Sequence, residues 1–234
     1  MPPLKLLRLF RYPILKQLQL EEALLRAGDG NWCILNEGTA SAIVMGISGV
    51  QEQLVNPERF ALRPVPLIRR FSGGGTVFVD EGTFFVSFIC NALDVGVPCF
   101  PEKVLHWTAA FYTPVFEGID FKLVENDYAI GNKKCGGNAQ YFRKGRWLHH
   151  SSFLWDFQLE QMEYLLHPPK TPKYRAERRH GEFLCMLSEH FEEKDRFFSP
   201  LIHQLEKQFT LEHAVLDECL EICKVPHRQA TQLL

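Results

Sequence analysis

The chain has 234 residues, 46% of them hydrophobic and 23% charged, the composition of an ordinary globular protein with a sizeable core. Its formal net charge of −2 argues against a nucleic-acid or membrane-surface binder, which would carry a basic excess. No run of about eighteen apolar residues occurs, so no transmembrane helix is expected.

The opening stretch, MPPLKLLRLFRYPILKQLQLEEALL, is basic and Leu-rich, but Glu21 and Glu22 interrupt it before a signal-peptide pattern develops. Leu15, Leu18 and Leu25 recur at helical spacing, which predicts an amphipathic helix. With no leader recognised, a soluble cytoplasmic chain is expected, an organellar one staying open. NWCIL (31–35) and SAIVMG (41–46) read as short strands around the turn-prone NEGTA. RPVPLIRR, with two prolines, suggests an edge or entry strand. TVFV and TFFVSFIC, joined by a short acidic-Gly turn, predict a hairpin.

From Pro101 the period changes. Val104, Leu105, Thr108, Phe111, Tyr112 and Val115 mark one stripe of a helix that starts at the proline. FKLV (121–124) and DYAI (127–130) follow as strands. WLHHSSFLWDF (147–157) is the longest strand candidate, and LEQMEYLL beyond it looks helical. HPPKTPKYRAERRHGEF (167–183) is Pro-rich and basic, hence a loop or crossing segment, and 198–223 reads as one or two helices. Strands in the middle with helices around them argue for an α+β fold with a mixed, largely antiparallel sheet. The expected division is a catalytic domain over 1–195 and a short helical extension over 196–234.

Three stretches carry candidate chemistry. In RRFSGGGTVFVD, Gly73, Gly74 and Gly75 would let main-chain N–H groups converge on an anion, with Arg69, Arg70 and Ser72 beside them. The pattern is neither a P-loop nor a dinucleotide fingerprint. In GNKKCGGNAQ, cations again precede glycines; Lys133 and Lys134 point to opposite faces if the segment is extended. In the third, strand alternation puts Trp147, His149 and Ser151 on one face and Leu148, His150 and Ser152 on the other, which argues against a two-histidine zinc site there. The seven cysteines, odd in number and scattered through apolar segments, look like reduced core thiols, and Cys219 with Cys223 has no second pair to complete a zinc site.

RRFSGGGTVFVDEGTFFVSF, ENDYAIGNKKCGGNAQ and LHHSSFLWDF, in this order and spacing, closely resemble the lipoate–protein ligase family, within the wider biotin/lipoate ligase and octanoyltransferase superfamily. The resemblance runs from about Leu7 to His180, where PKYRAERRH looks like a later motif of the family. It implies a biotin/lipoate ligase-like catalytic domain that activates lipoate or octanoate with ATP and Mg²⁺ as an acyl-adenylate. The acyl group then passes to a lysine of a lipoyl carrier domain, of a 2-oxoacid dehydrogenase or a glycine cleavage H-type protein.

By that resemblance Lys134 is the catalytic lysine, while Arg70, Ser72, Gly73, Gly74, Gly75 and Thr76 cover the acyl-adenylate. Asn126 and Asp127 lie near the nucleotide, Asp127 as a candidate Mg²⁺ ligand and no other metal site implied. Gly137 and Ala139 follow the lysine, and His149, chosen over His150 by parity, completes the set. The chain departs from the family at Val79, where many members have His, and at Thr83, where Asn is common. Only about fifty residues follow PKYRAERRH, too few for an accessory domain of usual size, which leaves room for an accessory subunit. Two alternatives accompany the ligase reading: ATP-independent octanoyl or lipoyl transfer between carriers, and non-catalytic binding. The nucleophilic cysteine that octanoyltransferases use is missing at both expected places, and Cys135 reads as structural.

Overall fold

The computed structural model describes residues 1–168 and 171–234. Within the expected loop 167–183, Pro169 and Lys170 lie outside the described residues.

The strands are β1 (Pro3–Phe10), β2 (Trp32–Glu37), β3 (Ala42–Met45), β4 (Leu67–Arg69), β5 (Val77–Val79), β6 (Thr83–Asn91), β7 (Phe121–Val124), β8 (Asp127–Ile130), β9 (Lys133–Arg143), β10 (Arg146–Leu154), β11 (Thr210–Ala214) and β12 (Gln232–Leu233). They form an eight-stranded mixed sheet in the order β11-β1-β2-β6-β10-β9-β8-β7 and a four-stranded sheet in the order β12-β4-β3-β5. In the large sheet β1 runs parallel to both β11 and β2, and the remaining pairs are antiparallel. The α+β class expected from the sequence is the class observed.

Why the sheet is buried on both sides is visible in β6 and β10. Phe84, Val86, Phe88 and Cys90 point to one face, and Phe85, Ser87 and Ile89 to the other, so TFFVSFIC reads as a continuous apolar run. On the first face, Trp147 and Phe153 of β10 join an aromatic core covered by helices Pro101–Tyr112 and Asp195–Gln208. The helix at 101 matches its predicted stripe: Val104, Leu105, Thr108, Phe111 and Tyr112 are buried, and Pro101 sits in its first turn, where its missing N–H costs nothing. On the other face lies helix Ile14–Arg26. Its Leu20, Leu24 and Leu25 pack on Trp32, Ile34 and Ile89, while Ile14 and Leu18 meet the small sheet at Ala42, Val44, Ile68 and Val79.

Several expectations are corrected. The first ten residues form a strand, not the start of the helix: Leu4, Leu6 and Leu7 are buried between β2 and β11, partners remote in sequence. TVFV and TFFVSFIC do not pair as a hairpin. β5 pairs with β3 in the small sheet and β6 with β2 and β10 in the large one, so the turn at 80–82 carries the chain between sheets. Asp80 Oδ1 accepts the Gly82 N–H at 2.9 Å, and Gly82 lies against the Asp156 carbonyl. β4 is interior, covered by β12. The longest strand is the eleven-residue β9, and LEQMEYLL contributes a single helical turn, Leu159–Met162. Between the helices at 195–208 and 216–223 runs β11, so the residues after 195 supply a strand to each sheet.

Candidate functional site

Two lobes of a cleft meet between the sheets. The larger, about 410 Å³, opens toward the 171–184 segment, with Arg175, His180 and Phe183 in its wall. The smaller, about 240 Å³, has apolar walls from Ile14, Leu18, Val44 and Phe85 and polar ones from Arg70 and His150. Gly75, Thr76, Val77, Val79, Asn126, Asp127, Lys134, Gly137 and Ser152 line both.

Lys134 is at the junction. Its ammonium lies 2.8 Å from Asp127 Oδ1, and Asp127 Oδ2 accepts from the Tyr174 hydroxyl at 3.1 Å. Burial, with Asp127 beside it, pushes that hydroxyl's pKa well up, so Tyr174 stays a donor. The lysine is held at the backbone as well: Ala129 of β8 is its register partner, and its carbonyl accepts the Cys185 N–H at 2.9 Å. A Cβ on Gly137 would stand 3.2 Å from the lysine nitrogen, so a bare residue there gives the side chain its path across β9.

The glycine loop is braced from within. Arg70 donates through Nε and Nη2 to the Gly73 carbonyl and through Nη2 to that of Gly75, at 2.8 to 3.2 Å. Gly74 has φ +106°, a conformation L side chains rarely adopt. A Cβ on Gly73 or Gly75 would meet nothing within 4 Å, so packing does not demand glycine at either. Burial lowers the Arg70 pKa to about 10, which leaves it cationic at neutral pH.

Of the residues singled out in the sequence, the structure brings Arg70, Gly74, Gly75, Thr76, Asn126, Asp127, Lys134, Gly137 and Ala139 to the walls of the cleft. Ser72 and Gly73 lie in the same loop but line neither lobe; Ser72 is buried, its carbonyl accepting from Ile47. The choice of His149 is corrected. It sits in the aromatic core on the far face of β10, bonded to Tyr128, Thr108 and Gln140, and burial lowers its pKa to about 3. Alternation separates the two histidines as expected, but His150 is the one facing the cleft. Behind it, buried Glu21 accepts from Ser87 at 2.6 Å and from Gln17 at 2.9 Å, and lies 2.9 Å from His150 Nδ1.

Arg175, part of PKYRAERRH, was not singled out. It is buried, stacks 5.0 Å from the Phe183 ring and donates through Nε to the Arg178 carbonyl. Its Nη2, like the Thr76 hydroxyl, is a buried donor with no partner among the described residues. Two idle donors and an ammonium around one cleft are the equipment for an anion. His180 adds no charge, since burial and nearby Arg175 lower its pKa to about 4. No cysteine lines either lobe; Cys135 is buried in the aromatic core, and burial drives its thiol pKa well up.

The cleft between the two mixed sheets thus joins two lobes with apolar and polar walls at an ammonium, with two unpartnered donors beside it. Residues 13–210 match the family model of the lipoyl protein ligase A/B catalytic domain, and the chain belongs to that family. It is 27% identical over 190 residues to the inactive lipoate–protein ligase 2 of Plasmodium falciparum, which covers 66% of this chain and 49% of that protein. It is 32% identical over 137 residues to the probable lipoate-protein ligase A of Mycoplasma genitalium, covering 56% and 39%. The chain thus spans about half or less of these curated relatives.

Among solved structures, it superposes on a putative lipoate protein ligase of T. acidophilum with bound lipoic acid at TM-score 0.78 and 18% identity, covering 96% of this chain and 94% of that one. A bi-partite lipoate protein ligase of Thermoplasma acidophilum, described with its E2 lipoyl domain, matches at 0.78 and 20%, covering 96% and 91%. A lipoate-protein ligase A bound with ATP matches at 0.75 and 19%, covering 95% and 92%. At these identities the likeness is one of fold. The expected biotin/lipoate ligase-like architecture is the one observed. Among the described residues no helix is long and apolar enough to cross a membrane.

Proposed function

We propose that this chain is a lipoate or octanoate protein ligase, which activates the acid with ATP and hands it to a lysine of a lipoyl carrier domain. The observation that carries the reading is the position of Lys134, where two lobes with apolar walls meet beside two idle donors. The acyl chain lies in the smaller lobe, its carboxylate at Lys134, and the nucleotide in the larger one.

A carboxylate oxygen attacks the α-phosphorus, pyrophosphate leaves, and the acyl-AMP forms. The carrier's lysine amine then attacks the acyl carbonyl and AMP departs. Both steps shift negative charge among phosphate and carboxyl oxygens, and a fixed ammonium among preorganised donors stabilises that charge without reorganising. Lys134 supplies the charge, with Thr76 and Arg175 as donors, and the Arg70-braced loop closes over the intermediate. Separating Lys134 from Asp127 is the cost of engaging the ligand.

Mg²⁺ fits here only as an ion carried by the nucleotide phosphates. No group of three or more His, Cys, Asp or Glu side chains could hold a metal among the described residues, and Asp127 already engages Lys134 and Tyr174. Asp127 and Glu125 are the carboxylates at hand. The carrier is a lipoyl domain of a 2-oxoacid dehydrogenase or a glycine cleavage H-type protein, with an accessory subunit as a further candidate partner. Residues 1–195 are taken as the body of the catalytic unit, and 196–234, expected as a helical extension, complete it with a helix and a strand in each sheet.

The absence of a cysteine from both lobes weighs against thioester-forming acyl transfer. A second reading is binding without turnover. Val79 in both lobes and the relative named inactive favour it. The test is the intact mass of an apo lipoyl domain incubated with this protein, ATP, Mg²⁺ and lipoic or octanoic acid. A gain of one acyl group that needs ATP is expected; binding of the acid with no gain, across several acids and carriers, would leave the second reading.

A further inference from the structure

The residues that brace the glycine loop from outside lie far away in sequence. Glu22, in the middle of helix Ile14–Arg26, is a buried carboxylate. It accepts from Arg26 Nε at 2.9 Å, from the Ala230 N–H at 3.0 Å and from the Thr231 N–H at 2.9 Å. That capture delivers the Thr231 hydroxyl to the Phe71 N–H, at 3.3 Å. Beyond it, β12 adds to β4: Gln232 pairs with Arg69, Leu233 with Ile68, and Leu234 donates to the Leu67 carbonyl at 2.8 Å. Arg26 also covers the Phe71 ring at 5.7 Å.

Phe71 sits between Arg70, whose guanidinium organises the loop, and Ser72, where the bare segment begins. The main chain at the loop's entry therefore has one neighbour in β3 and a second in residues 230–234.

We infer that residues 230–234, seated by Glu22, form a clamp that sets the glycine loop in its ligand-ready shape, with Thr231 as a positioning residue. The inference rests on the reading of that loop as the cover over the acyl-adenylate. The clamp works through Phe71 and touches no ligand. Its effect falls on ligand capture, since a loop preordered before binding has less conformational freedom left to lose.

The test is hydrogen exchange of the unliganded full chain over 69–77, compared among wild type, Thr231→Val, Thr231→Ser and Glu22→Gln. Thr231→Val removes the acceptor at nearly constant volume; loss of one such bond predicts exchange over 69–77 faster by about fivefold. Glu22→Gln should exceed that, and Thr231→Ser should stay near wild type. In carrier acylation, Thr231→Val should raise KM for the acid about threefold with kcat near wild type, as expected when ligand capture alone is weakened. Unchanged exchange over 69–77 in both Thr231→Val and Glu22→Gln would overturn the clamp, as would equal acceleration across the whole chain. A wild type with no acylation would instead overturn the ligase reading, and the exchange measurement would still decide the clamp.

Discussion

Strand β10 carries two adjacent histidines into two different environments. His149 is sealed among neutral partners in an aromatic core, with burial holding its pKa at about 3. His150 lies beside a buried carboxylate at the wall of an open lobe. The core face closes on itself: Tyr128, Phe153, Phe116 and Phe197 interlock ring against ring, and its polar atoms satisfy one another. The cleft face leaves donors at Thr76 and Arg175 without partners among the described residues. Unsatisfied buried donors cost stability, and these two belong to residues that line the cleft. One face of the sheet is closed by its aromatic core, while the other, apolar under helix Ile14–Arg26, also lines the cleft.

The largest effect expected is on the cleft side. Lys134→Ala should cut carrier acylation by about a thousandfold, at the upper end of what loss of one charge-stabilising donor costs. It should leave the thermal midpoint nearly unchanged, because the side chain is partly exposed and outside the core. Unaltered turnover would break the assignment. The mirror experiment is His149→Ala. Removing that ring opens a cavity and takes one hydrogen-bond partner each from Tyr128, Thr108 and Gln140, a loss of about 3 kcal/mol in urea unfolding. Acid binding by the remaining folded protein should be near wild type; selective loss of binding with stability intact would reverse the two faces. A smaller effect is expected at Arg175. Arg175→Lys keeps a cation but loses the planar fork, and should raise KM for ATP about tenfold with little change in kcat.

How much of this was readable beforehand follows the same division. The strands β7, β8 and β10 announce themselves as short apolar or alternating runs, because each has a partner that is its sequence neighbour, while β9 was read as extended only conditionally. Helix Pro101–Tyr112 did so through its stripe. β1, β11 and β12 were not legible, since each is a strand only by virtue of a partner far away in the chain: β1 between 32–37 and 210–214, β12 on 67–69. A Leu-rich opening satisfies helical spacing equally well until those partners exist. The supposed hairpin at 77–91 failed likewise: an acidic-Gly turn is compatible with a reversal and with a step between sheets. At the site, alternation separated His149 from His150 but carried no information on which face stays open. Arg175 was hidden in a Pro-rich basic loop whose charges look solvated. Its signal was the recurrence of the PKYRAERRH motif, and only the burial of its guanidinium distinguishes it from Arg178 and Arg179.

The comparison also predicts a pH dependence, the smallest effect. The ordinary histidine pKa is 6.5, and burial lowers it to about 3 at His149 and about 4 at His180. Above 6.5 both rings are neutral folded or unfolded, so they impose no slope. Between 6.5 and about 4 the unfolded chain takes up protons that the folded chain refuses, so stability falls as pH falls. From pH 6.5 to 5.5 His149 alone should remove about 1 kcal/mol, and the more exposed His180 less. Asp80, whose pKa burial raises, acts in the opposite sense in more acid solution, because there the folded state binds the extra proton. Urea unfolding at pH 7.5, 6.5 and 5.5 measures the slope, and His149→Gln assigns it. The variant starts less stable but should lose about 1 kcal/mol less between 6.5 and 5.5. If its loss equals that of the wild type, the core histidine is not refusing the proton, and the neutral, self-satisfied character of the closed face is wrong.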